Sequence, residues 1–142
     1  VLVSAVTPYL MKTDDNSTGV EPSVFEGILS GLAVDRPHFL TGFGQKFFGN
    51  SLPNHKVSHE MLQWTLQMAM MGSLRATLEC AKSFATKDFR PDMAAFDVTT
   101  MIIHGTADET VPIDSSARVA VGLIRNAYRE SRTGSTPPRN TG

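Results

Sequence analysis

The stretch Met101-Ile102-Ile103-His104-Gly105-Thr106-Ala107-Asp108-Glu109-Thr110-Val111-Pro112 holds the residues best placed to do chemistry. An apolar, β-branched run from Val98 to Ile103, bounded by Asp97 and Gly105, reads as a buried strand. An acid follows in the loop beyond it. In open α/β sheets, sites form outside the carboxyl ends of the strands. A carboxylate there can accept the Nδ1–H of a histidine, hold its tautomer and stabilise the imidazolium that forms during acyl transfer. Asp108 is the candidate acid and Glu109 its nearest rival. The competing reading is an acid that only closes a turn.

Other polar residues point less far. His55 and His59 stand four apart, but His55 precedes the N-cap candidate Ser58, so the two do not share a helical face as a zinc pair would. Cys80 has no basic neighbour in sequence and reads as packing. Gly42-Phe43-Gly44 lacks the third glycine and the preceding strand of a nucleotide-binding loop. His104, at a strand end, reads as structural.

The elements that must position Asp108 follow from periodicity. Val1 to Val6 reads as a short buried strand. Lys12 to Gly19 is a polar surface loop. Pro22 suits a first helical turn, and Val24, Phe25, Ile28, Leu29 and Leu32 give that helix one apolar face. Asp35 can cap a second helix, weakened by Gly42 and Gly44. Ser58 can cap a third and Ser73 a fourth. A last helix, capped by Asp114 or Ser115, is expected to turn Val119, Leu123 and Ile124 inward. The order is strand, helical insert over about 20–90, strand, loop, helix. From residue 126 to 142 the chain is expected to be irregular.

The 142 residues suffice for one domain. Thirteen Lys and Arg against fourteen Asp and Glu leave a net charge of −1, which removes the electrostatic argument for nucleic-acid binding. No apolar run approaches the roughly 20 residues of a membrane helix. A single cysteine allows no internal disulfide. The charge is uneven: five Arg and one Glu fall in residues 115–142, against eight Lys and Arg and thirteen Asp and Glu before them. Because Val1 opens inside a strand and two strands do not make a stable sheet, further sheet strands are expected ahead of this chain.

The His-Gly-Thr-Ala-Asp-Glu-Thr-Val-Pro segment, residues 104–112, resembles the H-G-x-x-D-x-x-V-P motif of α/β-hydrolases, in which the acid is the triad Asp. Val1-Leu2-Val3-Ser4-Ala5-Val6 resembles the strand after the nucleophile helix. Ala33-Val34-Asp35-Arg36, Phe47-Phe48-Gly49, Cys80 with Phe84, and Thr86-Lys87-Asp88-Phe89 resemble the helical cap of the bacterial cofactor-free chloroperoxidases, also described as arylesterases and perhydrolases. The resemblance covers about residues 1–125 and implies the carboxyl-terminal part of one α/β-hydrolase domain, with two core strands, a helical cap and a final helix. It implies a Ser–His–Asp enzyme with no haem, metal or other cofactor. Its partners would be a small ester or carboxylic acid and hydrogen peroxide, which can replace water and give a peracid. No nucleic acid or membrane partner is expected. It leaves room for a homo-oligomer in the intact enzyme, expected in the cytoplasm, any export signal having to lie ahead of Val1. By the same resemblance Phe39, Phe47, Thr110 and Ile113 are the candidates to line an acyl pocket.

Two parts of that machinery are not in these residues. No G-x-S-x-G string occurs, and no histidine follows His104. Counting the family's spacing from Asp108 arrives at Pro137-Pro138, where the family has Pro-His-Gly. Ser135 to Thr141 can be encoded so that a neighbouring frame reads Ala-Pro-Pro-His-Gly-Ile-Leu, so a frameshift near 128–134 is the expectation for the basic tail. The rival readings are another capped α/β-hydrolase with an Asp nucleophile, such as a dehalogenase or epoxide hydrolase, and a non-catalytic helical interaction module.

Overall fold

A computed structural model describes residues 1–50, 53 and 57–132, with side chains as far as Arg129. Three parallel strands form one sheet in the order β1 (Leu2–Val3), β2 (Thr100–Gly105), β3 (Ala127–Arg132). Six helices are described: α1 (Pro22–Val34), α2 (Arg36–Phe47), α3 (His59–Met71), α4 (Leu74–Thr86), α5 (Arg90–Met93) and α6 (Ala117–Leu123). Among the described residues no helix is long and apolar enough to cross a membrane.

The local signals act as chain punctuation. The side chain of Asp35 accepts from the His38 amide at 3.0 Å, Ser58 from Met61 at 3.2 Å and Ser73 from Ala76 at 3.4 Å, satisfying amides that the first helical turn leaves orphaned. Gly42 and Gly44 do not interrupt α2. Arg36, at its start, donates Nη2 to the carbonyls of Ala69 (2.6 Å) and Gly72 (2.9 Å), closing the carboxyl end of α3.

Two expectations are corrected. The first concerns the region after residue 125, which does not begin as irregular chain. Ala127–Arg132 pairs with all of β2, from Thr100↔Ala127 to Gly105↔Arg132, so the sheet has three strands and not two. The segment Tyr128-Arg129-Glu130-Ser131-Arg132 lacks apolar alternation because the strand sits outermost and its ladder bonds come from the backbone. The rest of the tail, 133–142, lies outside the described residues, as does His55; the frameshift expected near 128–134 falls partly on β3 and partly beyond them. The second concerns α6, which buries Ala117, Ala120 and the following Ile124, while Leu123 is 42% exposed and Val119 half-buried. Small side chains let this helix approach the sheet closely, so the inward face is not the one with the largest residues.

The core has two parts. One joins Met93, Ile102, Ile113, Ala117, Ala120 and Ile124 around the sheet. The other joins Leu10, Phe25, Ala85 and Val111. Helices α1 to α4 pack only among themselves; among the described residues none approaches a strand, α5 or α6 within 8 Å between Cα atoms. They meet the rest through Val111, in the loop after β2. The two chain segments that lead into and out of this insert run side by side, where the Phe89 amide donates to the Pro8 carbonyl at 2.8 Å.

Candidate active site

Asp108 sits in the loop at the carboxyl end of β2, the central strand of the three. Its Oδ1 accepts two backbone amides, Thr110 N at 3.0 Å and Val111 N at 2.8 Å. This is an Asx turn, the arrangement a short acidic side chain makes when it replaces a backbone carbonyl. The structural and chemical readings of Asp108 are therefore compatible: Oδ1 closes the turn, and the carboxylate carries a second oxygen on a side chain that stays 20% exposed. That Oδ2 stands 3.6 Å from His104 Nε2, beyond hydrogen-bonding distance.

His104 is almost wholly buried. Its Nε2 lies 2.8 Å from the Val111 carbonyl. A carbonyl only accepts, so Nε2 carries a proton and donates it. Nδ1 is buried without a hydrogen-bond partner among the described residues. Ser116 Oγ lies 3.5 Å from Nε2 and donates to the Pro112 carbonyl at 2.8 Å. The sequence pointed to Asp108 but not to Val111 or Ser116, whose part is played by backbone and position; the Val-Pro after the acid was the only trace.

The four pocket candidates fall in three places. Phe47 lines a groove of about 270 Å³ between α2 and α3, with Phe43, Phe48, Leu62 and Leu66. Phe39 stacks on Phe43 one turn away, ring centroids 5.9 Å apart. Thr110 belongs to the Asp108 turn. Ile113 is 7% exposed and packs with Met93 and Ile102 in the core, which sets it apart from a pocket wall. A β-branched apolar residue suits either place, so its type did not separate them. Among the described residues no three His, Cys, Asp or Glu side chains gather as a metal site.

Comparison with known proteins gives this geometry its setting. No protein-family model matches the chain. A Synechocystis sp. protein carrying a non-heme chloroperoxidase name is 40% identical over 131 residues, 92% of this chain and 47% of that protein. A bifunctional esterase/perhydrolase of Acinetobacter calcoaceticus is 32% identical over 128 residues, 89% of this chain and 46% of that protein. Among solved structures, a bromoperoxidase from Bacillus anthracis superposes with a TM-score of 0.88 at 33% identity, covering 94% of this chain and 49% of that one. The 131 aligned residues exceed the expected 1–125 stretch, so the likeness runs on past residue 125. The chain spans about half the length of the curated relatives it matches.

A parallel sheet with its acid-bearing loop at the end of the central strand, and that superposition, give this chain part of the α/β-hydrolase fold. Within that superfamily it is related to the non-heme chloroperoxidases and to their esterase and perhydrolase relatives.

Proposed function

We propose that this chain is the carboxyl-terminal part of a serine α/β-hydrolase that cleaves esters and, with hydrogen peroxide in place of water, forms peracids, and that Asp108 is the acid of its triad. The observation that carries the reading is the fixing of Asp108 at the carboxyl end of β2 by two backbone amides. The relatives' names, chloroperoxidase and esterase/perhydrolase, support the reaction class.

In this reading the serine and the histidine come from sequence that these 142 residues do not contain. The histidine removes the serine proton as Oγ attacks the ester carbonyl, and returns it to the departing alcohol. Water or hydrogen peroxide then takes the acyl group. Asp108 holds the imidazole in the useful tautomer and stabilises it while charged. Because amides and not mobile side chains hold Oδ1, the carboxylate is set in place before reaction and spends no free energy on reorienting. The apolar groove at Phe43 and Phe47 would receive the acyl chain. The chemistry draws on no cofactor.

The test is p-nitrophenyl acetate hydrolysis by the full-length protein and its Asp108→Asn variant. The variant should lose about 10⁴-fold in kcat, since the amide favours the wrong histidine tautomer. A loss of less than about tenfold would remove Asp108 from the triad. Residues 1–142 by themselves should show no turnover.

A further inference from the structure

We propose that His104 is a positioning residue for Asp108, acting through the Val111 backbone; this rests on the reading of Asp108 as the triad acid. Val111 is held from both ends of its backbone. Its N–H donates to Asp108 Oδ1 at 2.8 Å, and its carbonyl accepts from His104 Nε2 at 2.8 Å. One residue therefore joins the acid to the histidine by hydrogen bonds, while the two side chains stand 3.6 Å apart with none directly between them.

The far end of this link is rigid. His104 lies in β2 between two neighbouring strands, paired with Ser131 on one side, while the preceding Ile103 carbonyl accepts from Ser4 N at 2.9 Å on the other. The ring is 1% exposed, so it has no room to change rotamer. The Val111 side chain is anchored separately, in the cluster with Leu10, Phe25 and Ala85. The next carbonyl, Pro112, accepts from Ser115 Oγ at 3.1 Å and Ser116 Oγ at 2.8 Å. The loop beyond Asp108 is thus tied at consecutive peptides, and His104 supplies the tie closest to the acid. Removing the Nε2 donor strands a carbonyl beside a buried side chain. That carbonyl lies in the Val111–Pro112 peptide and the N–H in the Thr110–Val111 peptide, so the coupling runs through the Val111 Cα: as the backbone shifts to bring the carbonyl to another donor, Val111 moves, its N–H leaves Oδ1 and the carboxylate is freed to turn.

The imidazole is suited to this task by reach. Glutamine places its amide nitrogen close to the position of Nε2 and can donate to the Val111 carbonyl. Asparagine places its amide near Nδ1 and falls short. Phenylalanine fills the space and donates nothing. These three substitutions separate donation from packing.

In the full-length enzyme, His104→Asn and His104→Phe should lower kcat about 10- to 100-fold with KM moving less than about twofold, the signature of a misplaced group and not of lost substrate binding. His104→Gln should recover kcat to within about threefold of the parent. Folded His104→Asn enzyme with unchanged kcat overturns the proposal, as does Gln performing no better than Phe. A measurement on the unsubstituted enzyme stands if the variants fail to fold. ¹⁵N-labelled histidine should show His104 protonated at Nε2, with a scalar coupling across the hydrogen bond to the Val111 carbonyl carbon; protonation at Nδ1 alone overturns the link. Full kcat in Asp108→Asn refutes the triad reading instead, and is told apart because the ¹⁵N result does not depend on turnover.

Discussion

Gly19 offers a sharp test of how the loop before α1 is held. A Cβ built on Gly19 would lie 2.5 Å from Lys12 N and 2.6 Å from both Lys12 Cα and the Met11 carbonyl carbon. All three are backbone atoms, so no side chain can swing aside. Relief needs the two segments to separate by about 1 Å to reach ordinary contact distance. That separation breaks the bonds from Lys12 N to the Val20 carbonyl (2.9 Å) and from Val20 N to the Leu10 carbonyl (2.8 Å). Each contributes about 0.5–1.5 kcal/mol. It also displaces Leu10, 1% exposed, from its place against Phe25, Ala85 and Val111, at a cost of about 1–3 kcal/mol. Gly19→Ala should therefore destabilise by about 2–6 kcal/mol, or about 4–12 °C in Tm at about 2 °C per kcal/mol for a full-length protein about twice as long as this chain. The assay is a thermal melt followed by circular dichroism on the full-length protein. Gly27→Ala and Gly42→Ala are the controls: both glycines are helical and have nothing within 4 Å of the added carbon. Each should stabilise by up to about 1 kcal/mol. A Gly19→Ala melt within about 2 °C of the parent, or controls that fall as far, refutes the steric argument.

Two further outcomes are expected beside the Asp108→Asn result. Phe47→Ala should shift the enzyme's preference among acyl-chain lengths, because Phe47 lines the α2–α3 groove; an unchanged preference profile assigns that ring to packing. Acid stability should depend on Arg90, whose guanidinium is hydrogen-bonded to Asp88 at 2.7 Å and paired with Asp15 at 3.0 Å. The Thr13 hydroxyl and then Arg90 hold the Asp15 carboxyl, and Arg90 holds that of Asp88, below the ordinary value of 3.8. A depressed acid adds stability above its unfolded value and loses it as pH falls through 3.8 toward the lower folded value. The Tm of the parent should accordingly drop more steeply below that pH than the Tm of Arg90→Ala; parallel curves would show that solvent screens the cluster entirely.

What the sequence made legible was mostly what is decided locally, though the last helix, expected to be capped by Asp114 or Ser115, starts after Ser116 with no side-chain cap bond. Asp35, Ser58 and Ser73 each cap the helix expected of them, because a capping side chain needs only the amide three residues on. The strand before Asp108 was legible from its β-branched run. Tyr128 to Arg132 was not, since its membership of the sheet is decided by β2 and not by its own composition. The inward face of α6 escaped for a similar reason: how closely a helix approaches a sheet selects Ala117 and Ala120 over Leu123, and that distance is a tertiary quantity. Asp108 was visible as a residue type at a strand end. The double tether on Val111 was not, because it consists of one backbone amide and one backbone carbonyl, and every residue carries both.

The side-by-side entry and exit of the helical insert have an evolutionary consequence. With the Phe89 amide on the Pro8 carbonyl, the chain leaves the sheet layer and returns to the same spot, so everything between is a detour that starts and finishes at one address. Such a detour can lengthen, shorten or be exchanged between lineages while the strand carrying Asp108 keeps its register. Its obligations are to keep Phe25 and Ala85 packed in the cluster with Val111 and Asp15 paired with Arg90. Selection can therefore redraw what is admitted above the sheet, residue by residue or as a whole cassette, without reopening the question of where the acid stands.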